Sequence, residues 1–477
     1  MNFLKKYYWA IVPIIGWLIV RFGFNFNGLY GQDAYAYLLH AREWKAFFLG
    51  GETPRTFFWP PNYSIIGALL SLLIKTEFYS LQLVSVFSMM GLAGILNRWI
   101  KEAYPEFKAR SRIALVSLGF LLSPYMFRLG MQCMSDMLAM VFLTASFYQL
   151  WKSLQDDSAK SLLLWSGFSA LAITTRYPAI VVLLPTIGYI GFRLLLRVQL
   201  GKLAAGIIVG AIPISVAVWW KLTSGGMDSV VGIDLIQNWD VSNFWHSEFS
   251  TSDTNSKFIL PNVLFNLSPF IHPGTMFFGV VLLPLAITGV TKNRFKLLLL
   301  ASVLVYACFL AGVPFQNSRV ATFTYPLIVM FYLDGFEHLS DWLKEKNIPG
   351  KLMVTVAALV QLGLCTRAMA PSVLSNHFER QLATWIQTNH GSKSVYTSSY
   401  SQLFDVYETG NSVIQIFDSE INQFETGSLF IFNQSWAEFK LKGTMPLQNW
   451  EKAQSEMQVE ELKCWENGWC VYSLNSK

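Results

Sequence analysis

The chain contains little charge and few cysteines for its 477 residues. Charged side chains make up 14% of the sequence and hydrophobic ones 53%. A soluble domain usually carries about 25% charged residues, so this composition excludes an ordinary soluble protein. Lys and Arg exceed Asp and Glu only by 36 to 30, which is too small an excess to indicate a nucleic-acid surface. The five cysteines and six histidines show no metal-ligand spacing, so no dedicated metal site is predicted.

Long apolar runs dominate what is present. Leu203–Trp220 and Leu297–Val313 are too long and too apolar for a soluble core, which predicts a polytopic α-helical membrane protein. Lys5 and Lys6 precede a first run that reaches Val20 and is followed by no A-x-A-like cleavage site. This pattern predicts a retained first membrane helix and an N-terminus on the inner side.

One apolar segment decides the predicted topology. Pro61–Ile74 has about 14 residues, short of the roughly 20 that a spanning helix needs, so we predict a surface or partly inserted helix. About eleven spanning helices then keep the basic loops inside and the C-terminus outside. Two of these helices are expected over Ile113–Phe127 and Leu352–Ala370. If Pro61–Ile74 spanned instead, the basic loop Arg98–Arg112 would lie outside, and we reject that alternative.

The last hundred residues are polar and change the character of the chain. We predict a transmembrane domain over 1–370, with its first outer loop at 25–78, and a small extracytoplasmic α/β domain over 371–477. A helical stretch is expected at His377–Thr388. It precedes three β-like runs: Ser394–Thr397, Ser412–Phe417 and Leu429–Asn433.

Near the C-terminus, Asn467-Gly468 is a hairpin signal between two cysteines. A two-residue turn would pair Cys470 with Trp465, so the cysteines would not face each other. A three-residue loop with a bulge would set Cys464 and Cys470 face to face. The sequence therefore allows a disulfide but does not imply one.

The stretch GLYGQDAYAYLLHAREW, Gly28–Trp44, places an acid directly after the first membrane helix. Apolar residues spaced three and four apart predict an amphipathic helix along the membrane surface, with His40 off its apolar stripe. That stripe consists of Ala34, Tyr37, Leu38, Ala41, Trp44 and Phe48. Asp33 follows Gly31 and would also serve as a helix N-cap, so these residues alone leave both capping and catalysis open.

Four stretches, in this order, resemble the GT-C membrane glycosyltransferases. YGQDAYAYLLHA is similar to the first-loop aspartate motif and WPPNYSIIGALLSLL to the helix that follows it. SPYMFRLGMQCMSD resembles a Ser-Pro turn with a second acid, and GFSALAITTRYPAIVVLLP resembles a Gly-rich helix that ends in Thr and a basic residue. A looser fifth stretch is QNSRVATFTYPLIVMFYLDGF.

The resemblance covers roughly Gly16–Gly335, and the most similar branch is the family 39-like one of protein O-mannosyltransferases and aminoarabinose transferases. The chain departs from this pattern at the first motif. Many relatives have two adjacent acids, whereas Asp33 is followed by Ala34, and Ala36 stands where a basic residue is often found. The partners of the donor phosphate must therefore come from elsewhere in the chain.

The resemblance implies a sugar donor carried on a polyprenyl phosphate. The sugar would pass to a lipid, glycan or protein acceptor at the outer face of a membrane, as in the bacterial inner membrane. The leaving phosphate is already a weak base, so the reaction chiefly needs a base for the acceptor hydroxyl. Direct attack from the opposite face would invert the anomeric carbon. Asp33 is the candidate base.

A second acid and three arginines complete the predicted site. Asp136 either caps the next helix or orients the acceptor, and it could help Asp33 hold a divalent ion, although two carboxylates fall short of a dedicated metal cage. Arg176, Arg319 and Arg128, in this order, are candidates for the donor phosphate, because the arginine fork suits phosphate. Arginines that extend to the membrane interface are the alternative interpretation.

Two other function classes compete with a transferase. A transporter or flippase for a lipid-linked sugar would account for many helices, but the sequence shows neither the paired repeats nor the broken midplane helices common in that class. An assembly protein would use the helices only as an anchor and bind its partner through the C-terminal domain. Loss of transfer with normal membrane insertion after substitution of Asp33 would favour the enzyme.

Overall fold

The structure is a computed structural model that describes residues 2–225, 238–250, 255–290, 293–398, 400–417 and 419–477. Ten helices precede the first gap: α1 (Asn2–Leu18, continued by a π-helical turn at Ile19–Gly23), α2 (Gly31–Phe48), α3 (Asn62–Ile74), α4 (Glu77–Ala103), α5 (Ala109–Val116, continued by a π-helical turn at Ser117–Leu121), α6 (Pro124–Met131), α7 (Asp136–Asp156), α8 (Ala159–Ile173), α9 (Ala179–Leu196) and α10 (Leu200–Thr223).

Ten further helices follow in the described chain: α11 (Asn262–Leu267), α12 (Gly279–Val290), α13 (Arg294–Ala311), α14 (Ser318–Ala321), α15 (Tyr325–Val329), α16 (Tyr332–Glu345), α17 (Gly350–His390), α18 (Ser401–Val406), α19 (Gln434–Lys440) and α20 (Met445–Glu456). The described residues form seven strands, namely β1 (Glu248–Ser250), β2 (Asn255–Lys257), β3 (Val395–Thr397), β4 (Val413–Gln415), β5 (Ser428–Phe432), β6 (Met457–Cys464) and β7 (Cys470–Ser476).

The chain divides into two compact units. The helical unit contains Met1–Gly28, His40–Phe244 and Asn262–Val373. The small unit contains Leu29–Leu39, Trp245–Pro261 and Leu374–Lys477. The start of α2 and the β1–β2 hairpin therefore belong to the small unit together with the C-terminal segment. The domain boundary between 370 and 371 stays a prediction.

Five helices in the described chain are long and apolar enough to cross a membrane, namely α4, α9, α10, α13 and α17. The count becomes six if the bent pair formed by α5, with its π-helical turn, and α6 is one span. Two shorter apolar helices, α3 and α8, have 13 and 15 residues. The helical membrane architecture is as the sequence predicted, and the number of eleven spans stays a prediction.

Two predicted helix boundaries are wrong. The helix expected over Ile113–Phe127 is broken, because a 65° bend separates the turn that ends at Leu121 from α6. Pro124 occupies the first turn of α6, where its missing N–H costs nothing. The chain thus contains a broken apolar helix, which the sequence argument against a transporter had not foreseen.

The second wrong boundary separates Leu352–Ala370 from His377–Thr388. Both segments belong to one continuous helix, α17, of 41 residues, which contains Pro371. An interior proline removes one backbone hydrogen bond and costs about 3 kcal/mol. Residues on both sides of Pro371 are buried, among them Met369, Ser372 and Asn376, and their packing holds the helix together across the proline.

The small unit is built on a five-stranded mixed sheet in the order β4-β3-β5-β7-β6. β3 runs parallel to β4 and β5, whereas β7 runs antiparallel to β5 and β6. The three predicted β-like runs form β3, β4 and β5. Aromatic side chains fill one core beneath the sheet, including Tyr396, Phe430, Phe432 and Trp450.

The hairpin signal near the C-terminus joins β6 to β7. Cys464 and Cys470 are direct cross-strand partners, and a disulfide links them. The Trp465 N–H donates to the carbonyl of Trp469 at 3.0 Å, and Gly468 adopts a φ of +81° in the turn. The register is the face-to-face alternative of the two that the sequence allowed.

Candidate active site

Asp136 begins helix α7 in the helical unit. Ser135 holds the N-cap position, and its side chain makes no capping hydrogen bond. Asp136 is therefore the first helical residue, and its carboxylate lies at the positive end of the helix dipole. Helix α7 packs against α4 and α8, and the Asp136 side chain is completely buried. A buried carboxylate is costly unless a cation compensates it.

Two arginines provide that compensation. Arg176 Nη1 lies 2.9 Å from Asp136 Oδ2, and Arg319 Nε lies 3.6 Å from the same oxygen. The Arg176 side chain is only 3% exposed and that of Arg319 17%. We call these three residues the Asp136 cluster. In this cluster one carboxylate faces two guanidinium groups.

The backbone around Arg176 explains how this side chain reaches the cluster. Helix α8 ends at Ile173, and the N–H of Arg176 donates to the carbonyl of Ala172 at 2.9 Å, which closes a tight turn before α9. The ring of Trp59 lies 5.4 Å from the Arg176 guanidinium. Asn62 at the start of α3 donates to Thr174 Oγ1 at 2.7 Å. The start of α3 is thus tied to the end of α8.

Arg128 is placed differently from the other two arginines. It lies over the ring of Tyr125 at 5.5 Å, and Tyr125 stacks on His272 with 5.3 Å between ring centres. Arg128 is not an ion-pair partner of Asp136, and its buried Nε has no hydrogen-bond partner in the described part of the chain. The structure therefore brings together the first two predicted arginines and leaves the third outside the cluster.

Asp33 belongs to the small unit, where it lies in the first turn of α2 and is half-buried. Gly31 begins this helix with a φ of +70°, a conformation that favours glycine over residues with a Cβ atom. The helical backbone therefore starts before Asp33. Asp33 is not the N-cap residue, so capping alone does not explain an acid here, although the helix dipole still favours it.

A buried acid that the sequence analysis missed holds the start of α2. Glu379 in α17 is only 2% exposed. Its carboxylate accepts hydrogen bonds from Tyr35 at 2.6 Å, from Ser375 at 2.9 Å and from the Gly31 N–H. Burial and the adjacent carboxylate raise the pKa of Tyr35, so this phenol remains a donor. The turn that carries Asp33 is thereby fixed at two points, Gly31 and Tyr35.

The sequence contains a pattern that indicates the burial of Glu379. Glu379, Leu382, Ala383 and Ile386 are spaced by three and four residues and share one helix face. All four are buried. An acid on an otherwise apolar helix face is more informative than an acid on a solvated one, and it predicts a buried partner.

His40 was predicted to lie off the apolar stripe of α2, and this prediction is wrong. The ring is only 3% exposed and packs against Phe57 at 4.4 Å and Trp220 at 5.0 Å. Trp44 donates to His40 Nε2 at 3.1 Å. Burial, with a smaller effect of the Lys221 charge, lowers the pKa of His40 to about 3. The histidine is therefore neutral, and aromatic residues distant in sequence supply its surroundings.

The described residues provide little for a divalent ion at Asp136. The single group of three potential ligands close together within them is Glu461 with Cys464 and Cys470, and those cysteines form the disulfide. Asp136 faces arginines, and a cation would have to compete with them. The role of Asp136 that the geometry favours is to hold Arg176 and Arg319.

No family model and no curated protein sequence matches the chain. Solved structures, in contrast, match the chain. The crystal structure of ArnT from Cupriavidus metallidurans bound to undecaprenyl phosphate aligns with 98% of this chain and 97% of its own, with a TM-score of 0.59 and 13% sequence identity. The apo state of the same protein aligns over the same shares with a TM-score of 0.56. The chain has the ArnT fold.

This likeness extends over nearly the whole of both chains, so the ArnT fold includes both the helical and the small unit. It confirms the resemblance to the aminoarabinose transferase branch at the level of fold. At 13% identity it does not transfer the roles of individual residues. The assignments of Asp33, Asp136, Arg176, Arg319 and Arg128 therefore stay predictions.

Proposed function

We propose that the protein is a membrane glycosyltransferase that moves a sugar from a polyprenyl-phosphate donor to a lipid, glycan or protein acceptor. The observation that carries this proposal is the Asp136 cluster in a chain with the ArnT fold. Its carboxylate faces the buried guanidinium of Arg176 and the half-buried one of Arg319, and guanidinium groups suit a phosphate. An ArnT structure with this fold is bound to undecaprenyl phosphate.

Asp33 is the proposed base. An acceptor hydroxyl oxygen attacks the anomeric carbon and forms the new glycosidic bond, while the bond from that carbon to the phosphate oxygen breaks. The phosphate leaves with the electron pair, and Asp33 takes the hydroxyl proton. The single displacement inverts the anomeric centre. The half-buried position of Asp33 in the first turn of α2 supports this role, because a base must be accessible to the acceptor.

Asp136 takes a different part in this proposal. Its carboxylate holds Arg176 and Arg319 at 2.9 Å and 3.6 Å, so their orientation is set before the donor arrives. Preorganised cations contribute more than mobile ones, because no reorganisation is needed during the reaction. Arg176 and Arg319 are the proposed phosphate partners, and Arg128 remains the third candidate.

A panel of donors tests the proposal directly. The purified full chain in lipid is incubated with several polyprenyl-phosphate sugars, with the acceptors varied as membrane lipids, glycans and peptides. We expect release of the free polyprenyl phosphate together with a glycosylated acceptor of inverted configuration. Release with retained configuration would contradict the single displacement. Binding of the donors followed by their movement across the bilayer without cleavage would favour the flippase.

A further inference from the structure

A groove in the helical unit takes no part in the Asp136 cluster. Its volume is about 480 Å³, within the range of small-molecule sites. Its walls come from α5 and the turn that follows it, from α12, from α16 and from α17. Most of the wall is apolar, with Leu118, Leu282, Leu343 and Met353 among its side chains.

One end of the groove carries two cations. Arg110 and Lys351 are the second residues of α5 and α17, and both line the groove. Both side chains are exposed, and neither makes an ion pair or hydrogen bond with a residue that the structure describes. Among the described residues that line this groove there is no acid. The charged side chains of its lining are therefore both positive.

The backbone adds to this charge. The first N–H groups of a helix have no acceptor inside the helix, and the helix dipole makes this end positive. Two helices, α5 and α17, begin beside the groove. Gly350 and the hydroxyl-bearing Ser111 also line it, so donors accompany both cations. This combination is suited to a phosphate anion.

A phosphate at this place could belong to a free phosphate ion or to a phospholipid, and the apolar wall distinguishes between these two. A free phosphate would use only the charged end and would leave the leucine-lined part empty. An anionic phospholipid matches both parts, because its acyl chain is apolar and its phosphate is charged. The basic loops that flank the groove, Arg98–Arg112 and Lys344–Lys351, are those predicted to be cytoplasmic. Basic pockets between membrane helices on this side bind anionic lipid head groups.

We propose that this groove binds one anionic phospholipid. The phosphate lies between Arg110 and Lys351, and an acyl chain extends along Leu118, Leu282 and Met353. The site is separate from the proposed donor site in composition, since it shares none of Asp136, Arg176 and Arg319. The proposal does not depend on the transferase function.

The test measures lipid retention by native mass spectrometry on the full chain. The delipidated protein is titrated with phosphatidylglycerol, with phosphatidylcholine and with inorganic phosphate. We expect one tightly retained phosphatidylglycerol, weaker retention of phosphatidylcholine, and no displacement by millimolar phosphate. The double variant Arg110→Gln/Lys351→Gln should lower phosphatidylglycerol affinity about thirtyfold, since each cation near an anionic lipid contributes about 1 kcal/mol.

A matched control removes equal charge from the same loops without touching the groove. Lys101 and Lys346 are exposed and do not line it, so Lys101→Gln/Lys346→Gln should leave the affinity nearly unchanged. Ala114→Trp places a large ring inside the groove, and we expect it to abolish retention. If Ala114→Trp does not fold, Thr355→Trp serves as the second blocking variant, because Thr355 also lines the groove.

Three outcomes would overturn the proposal. Equal retention of phosphatidylglycerol and phosphatidylcholine would show unspecific surface lipid. An equal loss in the control variant would show a diffuse basic surface. Displacement by inorganic phosphate, with no effect of the tryptophan substitution, would show an anion site without an acyl chain.

Discussion

Asp33 and Asp136 both lie in the first turn of a helix, but their surroundings differ. Asp136 is completely buried, and its carboxylate faces two guanidinium groups. Asp33 is half-buried, and hydrogen bonds of its neighbours, Gly31 and Tyr35, hold its helix turn. The same residue type at the same helix position therefore has two environments.

The difference indicates two roles. A base has to accept a proton from the acceptor and later release it to water, which an accessible carboxylate can do. A carboxylate inside a buried ion pair could accept a proton only by weakening that pair, which would leave the buried charge of Arg176 without its carboxylate. The comparison favours Asp33 as the base and Asp136 as the residue that orients the arginines.

The largest expected effect is that of Asp33→Asn. If Asp33 takes the proton, turnover should fall about a hundredfold to ten-thousandfold, while the donor affinity and the folded fraction remain close to those of the unaltered chain. The measurement is multiple-turnover transfer with the donor in saturating excess. Asp405→Asn, at an exposed acid of the small unit, is the control. A variant with nearly normal turnover would end the assignment of Asp33 and make Asp136 the next acid to test.

Asp136→Asn should instead act on stability. It leaves the buried guanidinium of Arg176 and the half-buried one of Arg319 without this carboxylate, and breaking a buried pair costs about 3–5 kcal/mol. The corresponding loss in Asp33→Asn should be smaller, because Asp33 is only half-buried and stays partly hydrated. Thermal unfolding in lipid nanodiscs compares the two variants. Equal stability losses would show that the two environments do not differ as described.

Arg176 tests the cation side of the comparison. Arg176→Ala should weaken donor binding by about 2–5 kcal/mol, because a desolvated charge-assisted contact is lost. Arg176→Lys should restore part of it, since lysine keeps the charge but lacks the fork. Equilibrium binding of a polyprenyl phosphate measures both, with Arg128→Ala for comparison. An unchanged affinity in Arg176→Ala would return this residue to a structural role.

Helix α2 also carries one buried and one half-buried titratable side chain, namely His40 and Asp33. The pKa of His40 is about 3 in the folded chain, below its unfolded value of about 6.5. The unfolded chain therefore binds more protons between these values, and stability is lost as the pH falls through this window. From pH 7 to pH 5 the loss should be about 2 kcal/mol.

The pH dependence of thermal unfolding checks this expectation. His40→Gln keeps an acceptor for Trp44 and does not titrate. This variant should lack the loss of stability between pH 7 and pH 5 that His40 causes. His338→Gln, at an exposed histidine, should retain it. An identical slope in His40→Gln and the unaltered chain would contradict the burial of a neutral His40.

The smallest expected effect concerns Glu379. Glu379→Gln should lower turnover about tenfold at an unchanged donor KM, because the turn that carries Asp33 loses part of its fixation. Tyr35→Phe should give a similar decrease, and the double variant should fall little further, since both remove the same contact. Turnover normalised to folded protein gives the comparison. Additive losses would show that the two residues act separately.

Much of the fold could be predicted because it depends on local patterns. The apolar length of α3 and the β-branched and aromatic runs at β3 and β5 gave nearly correct elements. The break before α6 also had a local signal in Pro124, which starts a helix more readily than it continues one. The continuation of α17 through Pro371 had no local signal, because packing on both sides of the proline outweighs the local preference for a helix end.

The candidate site was less predictable, because its contacts join distant segments. Arg176 lies 40 positions after Asp136, and no periodicity links them. The helix spacing of α2 placed His40 outside the apolar stripe, but Phe57 and Trp220 enclose it from other parts of the chain. Resemblance to a family supplied Asp33, Asp136 and Arg176 as candidates, and only the structure related Arg176 and Arg319 to one carboxylate.

The disulfide at the end of the β6–β7 hairpin has a consequence for how this protein is made. Its cysteines are six positions apart, so closing so short a ring removes little freedom from the unfolded chain and stabilises by about 2 kcal/mol. Such a bond persists in an oxidising compartment and is lost in a reducing cytosol. The oxidation state of Cys464 and Cys470 in intact cells therefore records which side of the membrane the C-terminal segment reached during its synthesis.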